Sequence, residues 1–502
     1  MGLVIPDRPL DWPDLVYAIQ AVLPNTELYL VGGVVRDVYL RRPVHDLDMV
    51  TPHDGRPIAR QLANAFNGHY YPLDAERGVG RTLIEWEGKA WVLDVAQFRG
   101  PDLLTDLQDR DFTANAVASP LHDLVHVIDP LGGLANIRDK VVRLCQPSSI
   151  EHDPVRALRA LRLSLGYQMR LADATKAAIR AVGDSLQRIS AERIRDELLK
   201  LLGGPKPQVA LTLLDTLGLL PMIFPEALAM QGIEQSSPHV FDVWRHSLGV
   251  VESIDNLFTA FSNVTVDINS LSLPIGLAAM SLGPLRPALA NYLSAMAWPN
   301  QRTHRALLVL AAFAHDVGKP LTQSVGDDGR IHFYHHEEEG ATLVEAWASR
   351  LALSNEETDR LWMIVRHHMR PLHLFHSGLS RRAAYRFWRD VGEAGVDICL
   401  LTMGDYLGKY GPQFDQNDWL RYLEMLRTLL EGYFHEHHEL VSFQPLLNGR
   451  EIMQRFNLAP GPIIGEIVAA LHEAQALKEI QTPDDATAWL AEWLAQRNHH
   501  HS

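Results

Sequence analysis

Cysteine is almost missing from this chain: its 502 residues carry only Cys145 and Cys399. Two thiols cannot staple domains of this size, which excludes a disulfide scaffold and leads one to expect a reducing compartment, the cytoplasm. No apolar run reaches the length of a membrane span. The opening Met1-Gly-Leu-Val-Ile-Pro-Asp has no basic stretch leading into an apolar one, so no secretion signal and no membrane partner are expected. Positive charge is in deficit: 46 Lys and Arg stand against 61 Asp and Glu, a net charge of −15. Such a balance opposes nonspecific nucleic-acid binding by the surface as a whole. Internal repeats and low-complexity linkers are lacking too. What is present is globular, with 47% hydrophobic residues, enough for the cores of three or four domains.

One segment runs against the acidic background. From Arg156 to Lys206 the chain holds Arg159, Arg162, Arg170, Lys176, Arg180, Arg188, Arg193, Arg195 and Lys200 but few acids. A local positive stripe on an acidic protein suits a defined polyanion site. The alternative is a helix face laced with ion pairs.

Strand-like runs at Leu28–Val31, Asp48–Val50, Thr82–Trp86 and Trp91–Val95, with a helical period from Pro57 to Phe66 between them, make the first 145 residues α/β. From Pro154 onward helix dominates. Ser190 is placed to cap a helix over Ala191–Leu202, which Gly203-Gly204-Pro205 ends. The fold class expected is therefore α+β. The punctuation Ala459-Pro-Gly-Pro462 opens a further helix through Leu477.

The densest signal is Val31-Gly32-Gly33-Val34-Val35-Arg36-Asp37, followed nine residues later by Asp46-Leu47-Asp48. Glycines let backbone approach a phosphate closely. Carboxylates at i and i+2 on a strand point to one side, repel each other, and are reconciled by a hard divalent cation such as Mg²⁺. A third carboxylate, Asp94 in Val92-Leu-Asp-Val, would complete a two-metal site. In Asp109-Arg110-Asp111-Phe-Thr-Ala-Asn115, Arg110 can fork onto a triphosphate and Asn115 can bond a ribose hydroxyl. In His152-Asp153-Pro154-Val155-Arg156, Asp153 and Arg156 share a helix face and can match the edge of a base, although for this piece taken alone a capping ion pair is the better account.

A second group lies downstream: His246, His315-Asp316, His336, His368 and Asp405. Imidazoles and carboxylates together bind transition metals. Adjacent His315 and Asp316 can bridge one or two ions, with His246 and Asp405 completing the sphere. His367 is an alternative to His368.

In order and within one stretch, Gly-Gly-x-Val-Arg-Asp, Asp-x-Asp, Arg-Asp-Phe-Thr-x-Asn-Ala and Asp-Pro-Val-Arg-Ala-Leu-Arg-Ala closely resemble the class II tRNA nucleotidyltransferase and poly(A) polymerase family. The text Ala314-His315-Asp316-Val317-Gly318-Lys319 resembles the HD phosphohydrolase superfamily. These resemblances imply a nucleotidyltransferase head with a small mixed sheet over residues 1–146 and a helical neck over 147–225. An HD body would follow over 226–435 and a helical RNA-binding tail over 436–502. They imply that Asp46, Asp48 and Asp94 hold Mg²⁺, and that Gly32, Gly33, Arg36, Arg110, Asp111, Asn115, Arg159 and Arg162 contact the nucleotide. Asp153 and Arg156 would select cytosine or adenine. The implied partners are tRNA, CTP and ATP. The HD residues would hold a transition metal (Mn, Ni, Fe or Co) and hydrolyse phosphomonoesters or 2′,3′-cyclic phosphodiesters.

Two departures stand out. His152 occupies the place of a glutamate that would brace Arg156. Only Gly100–Thr105 separate Arg99 from Asp106, where full CCA-adding members carry a longer loop; its shortening accompanies addition of CC alone. Poly(A) polymerase activity, and an HD hydrolase with a vestigial head, are the other functions the resemblance leaves open.

Overall fold

The structure is a computed structural model that describes residues 2–262, 271–410, 414–442 and 444–500. The chain divides into two compact units, one of Met1–Gly204 with Thr212–Met222, the other of Pro205–Leu211 with Ile223–Ser502. The class is α+β, with the mixed sheet confined to the first unit.

That unit begins with helix α1 (Asp14–Val22), strand β1 (Tyr29–Val31), helix α2 (Gly33–Tyr39), strand β2 (Asp46–Thr51) and helix α3 (Gly55–Ala65). Strands β3 (His69–Asp74), β4 (Val79–Trp86) and β5 (Lys89–Gln97), helix α4 (Leu103–Gln108) and strand β6 (Ala118–Pro120) complete the sheet region. The sheet order is β3-β4-β5-β2-β1-β6. Only β2 and β5 run parallel; the other neighbours are antiparallel. Alternation along β2 and β5 sends Leu47, Met49, Leu93 and Val95 into the core and Asp46, Asp48 and Asp94 to the opposite face. The sequence placed only the centres of these strands and did not foresee β3.

Helix α3 shows why. Of the apolar residues Ile58, Leu62, Ala65 and Phe66 that set its helical period only Leu62 is buried, together with Gly55, Ala59 and Ala63. The helix approaches β4 so closely that a Cβ on Gly80 would lie 2.7 Å from that of Ala59. A small residue, not the largest apolar one, occupies the contact.

Downstream come α5 (Gly133–Arg138), α6 (Ser149–His152), α7 (Arg156–Tyr167), α8 (Asp173–Arg180) and α9 (Ala191–Leu202). Helix α7 buries Leu158, Leu161 and Leu163; α9 buries Leu198, Leu199, Leu201 and Leu202. Ser190 stands at the expected N-cap of α9, but its hydroxyl makes no capping bond.

Among the described residues the second unit is helical apart from a two-stranded hairpin of Gln323–Val325 and Ile331–Phe333. Its interior holds a charged pair. Arg302 donates from Nε and Nη2 to the Glu357 carboxylate at 2.6 and 2.7 Å, and both side chains are almost fully buried. Glu357 also closes a capping box with Ser354 at the start of helix Asn355–His367. Removing one partner of such a pair strands a buried charge. Arg302→Met is therefore expected to cost about 3–5 kcal/mol, read as a lowered urea midpoint at unchanged slope; an unchanged midpoint would show the pair to be dispensable.

Among the described residues no single helix is long and apolar enough to cross a membrane. Cys145 and Cys399 are both free.

Candidate functional site

Two polar centres emerge, one in each unit. In the first, the parallel register places Asp48 directly beside Asp94, with Asp46 two residues along the same face of β2. Burial raises the Asp48 carboxyl above the usual carboxylate range, and the charges of Asp94 and Asp46 raise it further. Three carboxylates converging at a partly buried edge are a donor set for hard divalent cations, which would relieve that repulsion.

Gly32 sits at the N-cap of α2 with φ +76°, a left-handed conformation that glycine adopts without strain. A Cβ there would lie 3.3 Å from Arg110 Nη1 and 3.4 Å from Asp48 Oδ2. The glycine thus lets backbone, guanidinium and carboxylate meet. Arg110 is held by Asp106, which accepts from Nε at 3.1 Å and Nη2 at 2.9 Å.

A cleft of about 420 Å³ opens beside the carboxylates. It is lined by Gly33, Arg36, Asp46, Asp48, Asp111, Asn115, Arg159, Arg162 and Tyr167, among others. Its wall is a chain of hydrogen bonds and ion pairs. Arg36 donates to Asn115 Oδ1, and Asn115 Nδ2 donates to Asp111 Oδ1 at 3.0 Å. Arg159 donates to Asp111 Oδ2 through Nε (2.9 Å) and Nη2 (2.6 Å). Arg162 donates to Glu197 at 2.8 Å, and Glu197 also lies 3.9 Å from Arg159. Burial alone would raise the Asp111 carboxyl; Arg159 and the hydrogen bonds outweigh it and hold the group below its ordinary range.

Asp153 and Arg156 are not among the residues lining this cleft. Arg156 donates to the carbonyls of Asp109 (2.9 Å) and Ser149 (3.4 Å). Those carbonyls supply the bracing that His152, exposed in α6, does not. Asp153 Oδ2 accepts from Arg193 at 2.8 Å, while its Oδ1 is buried without a hydrogen-bond partner.

Tyr167 was not anticipated. Its hydroxyl donates to Asp37 at 2.8 Å, and its ring packs against the guanidinium groups of Arg36 (4.1 Å) and Arg42 (4.4 Å). A tyrosine at a helix end carries no local signal of such a role.

The second centre draws on five segments. His246 comes from helix Val243–Phe261, and His315 and Asp316 follow helix His304–Ala314. His336 opens helix His336–Arg350, His368 caps helix Asn355–His367, and Asp405 lies in Ala394–Tyr410. His246 Nε2 is 3.3 Å from His315 Nε2, 3.4 Å from Asp316 Oδ2 and 3.1 Å from Asp405 Oδ1. Asp316 Oδ1 reaches His336 Nε2 at 3.4 Å and His368 Nε2 at 4.0 Å. Asp316 thereby joins two groups, each of a size to hold one metal ion.

The imidazoles are oriented from behind. Nδ1 of His315, His336 and His368 meets the carbonyls of Ala312, Phe333 and Val365 at 2.8, 2.8 and 2.7 Å. Donating from Nδ1 leaves each Nε2 lone pair facing the cluster, the tautomer metal ligation requires. Burial, with His315 and His336 nearby, pushes His368 down to about 3 and keeps it neutral. His367 is excluded from the cluster: its ring lies 6.2 Å from that of Trp362, and His368 occupies the inward position. Gly318 is required for closure, because a Cβ there would fall 2.2 Å from the His336 carbonyl oxygen. His239, also unanticipated, packs its ring edge-on to His246 at 5.3 Å.

Comparisons with known proteins agree with this architecture. Residues 28–143 match the poly A polymerase head domain, residues 168–230 the probable RNA and SrmB-binding site of polymerase A, and residues 284–398 the HD domain. The HD match stops short of both His246 and Asp405, which the sequence reading named and the fold brings to the cluster. The A-adding tRNA nucleotidyltransferase of Deinococcus radiodurans is 31% identical over 474 residues, 93% of this chain and 95% of that protein. The CC-adding enzyme of Thermus thermophilus is 28% identical, over 94% of each chain. A solved CCA-adding enzyme with ATP shares the fold at a TM-score of 0.59 and 17% identity, covering 96% of this chain and 95% of that one. This chain is a nucleotidyltransferase, a member of the tRNA nucleotidyltransferase and poly(A) polymerase family that carries an HD domain.

Proposed function

We propose that the chain adds nucleotides to the 3′ end of tRNA and completes only part of the CCA end. The observation that carries this is the convergence of Asp46, Asp48 and Asp94 beside a cleft walled by Arg36, Asn115, Asp111 and Arg159. Mg²⁺ held by the three carboxylates supplies charge neutralisation at the reacting phosphate. The chain's own groups do the positioning: Arg110 and Arg36 face the triphosphate, and Asn115 faces the sugar. The tRNA 3′-oxygen forms a bond to the α-phosphorus of CTP or ATP, the bond to the bridging oxygen of pyrophosphate breaks, and the hydroxyl proton is lost. Asp153 and Arg156 lie outside the cleft lining and are bonded to Arg193 and to the Asp109 and Ser149 carbonyls, so reading of the base by this pair requires those bonds to be exchanged for the base. Arg170, Arg180, Arg188 and Lys200, all exposed and making no ion pair among the described residues, form the face for the tRNA backbone. The cytoplasm, where both free cysteines stay reduced, is the compartment for this reaction.

Partial addition is favoured by two observations. The connection from Arg99 to α4 is only a few residues long. Among the relatives matched by sequence, those compared over 92–94% of this chain are A-adding or CC-adding and the CCA-adding ones align with 36–38% of it, although solved CCA-adding enzymes share the fold over nearly the whole chain. The test offers tRNAs ending before CCA, after C and after CC with each NTP alone and together, and sequences the products. Arrest after CC, or addition of the terminal A alone, is the expected outcome. Completion of CCA from a bare end would refute partial addition, and unlimited A addition would indicate a poly(A) polymerase.

A second reading concerns the HD cluster, where convergent Nε2 atoms around Asp316 support hydrolysis of phosphomonoesters or 2′,3′-cyclic phosphodiesters. A transition metal such as Mn, Ni, Fe or Co would supply Lewis acidity there.

A further inference from the structure

Arg81 belongs to none of the motifs above, yet it holds the third carboxylate of the head. It lies on β4 directly opposite Asp94, which in turn lies beside Asp48. Nε donates to Asp94 Oδ1 and Nη2 to Oδ2, both at 2.8 Å, a fork matched to both oxygens. Its guanidinium is near enough to Asp46 and Asp48 to interact electrostatically with both. Arg110, the other cation at this edge, already spends two donors on Asp106. Arg81 is therefore the counter-charge for Asp94, while Arg110 stands closer to Asp48.

A carboxylate offers roughly four acceptor positions, and an end-on guanidinium takes one on each oxygen. Acceptor positions thus remain on Asp94, but a divalent cation held by Asp48 and Asp94 would lie beside the guanidinium, and the two like charges would repel each other and compete for the one carboxylate. The Arg81 side chain is 39% exposed, so its release into solvent needs no rearrangement of the core.

We propose that Arg81 is a counter-ion latch on Asp94, which the divalent cation must displace, and which thereby sets the head's affinity for that cation. The latch holds the three carboxylates together against their mutual repulsion until the cation arrives. It rests on the reading that Asp46, Asp48 and Asp94 hold the ions.

The test titrates full-length protein with Mn²⁺ and follows free Mn²⁺ by electron paramagnetic resonance, comparing wild type, D48N, R81M and R81K. Sites lost in D48N define the head ions and separate them from those of the HD cluster. R81M is expected to bind that class about tenfold more tightly, because the competing fork is gone. R81K keeps the charge without the fork, so it falls between the two and guards against a folding artefact in R81M. The Mg²⁺ concentration giving half-maximal incorporation should fall in parallel. Unchanged or weaker Mn²⁺ binding in R81M, with R81K like wild type, would overturn the latch. If no Mn²⁺ depends on Asp48, the metal reading of the head itself fails, and the latch with it.

Discussion

Replacing Asp48 by asparagine is expected to slow single-turnover incorporation into tRNA by about three orders of magnitude, the scale of losing several kcal/mol of charge stabilisation. Binding of tRNA should be retained, because the exposed arginines of α8 and the segment after it are untouched. The same change should make the ion-free protein more stable. Burial, then Asp94 and Asp46, raise the Asp48 carboxyl above its unfolded value. A raised acid is favoured below its unfolded pKa and costs stability as pH climbs through its folded pKa. Above its unfolded range the carboxyl therefore costs the ion-free fold stability, and asparagine removes that cost. A higher melting temperature without divalent ions, paired with lost incorporation, separates this effect from damage to the fold. A variant that keeps wild-type turnover would remove Asp48 from the metal site.

Asp316→Ala is expected to act on the other centre alone. Asp316 accepts from Lys319 Nζ at 2.6 Å and stands among His246, His315 and His336 at 3.1–3.4 Å. It is the one carboxylate common to both ligand groups. Its loss should reduce tightly bound transition metal to background by elemental analysis. It also leaves the buried Lys319 ammonium without its anion, at a cost of about 3–5 kcal/mol, seen as a lowered urea midpoint. Incorporation of nucleotides into tRNA should persist, since Asp46, Asp48 and Asp94 belong to the other compact unit. Retained metal would show that the histidines suffice without the carboxylate.

What was legible in the sequence follows from how local the signal is. Asp46 and Asp48 share a face because a strand has a period of two, and that can be read from a few residues. That Asp94 joins them depends on β2 and β5 pairing in parallel, a contact across 46 residues; the strand-like run and the need for a third carboxylate suggested Asp94, but no local signal gave the pairing. Arg81 was invisible, since an arginine in an alternating strand reads as a solvent face. The choice of His368 over His367 turned on helix phase. Helix Asn355–His367 ends just before His368, whose Nδ1 faces the Val365 carbonyl and turns Nε2 inward. The basic stretch proved to be of both kinds: Arg159, Arg162 and Arg193 are paired with Asp111, Glu197 and Asp153, while Arg170, Arg180 and Arg188 stay exposed. Composition cannot separate these cases, because pairing depends on which helices meet.

The head carboxylates can be tested by diffraction. Crystals grown with Mn²⁺ and a non-hydrolysable CTP analogue would be measured at the manganese edge. Anomalous peaks bridging Asp46, Asp48 and Asp94 to the triphosphate are expected, with Arg81 turned off Asp94. Manganese confined to the HD histidines, with the analogue bound away from the three carboxylates, would contradict the assignment of the head as the catalytic centre.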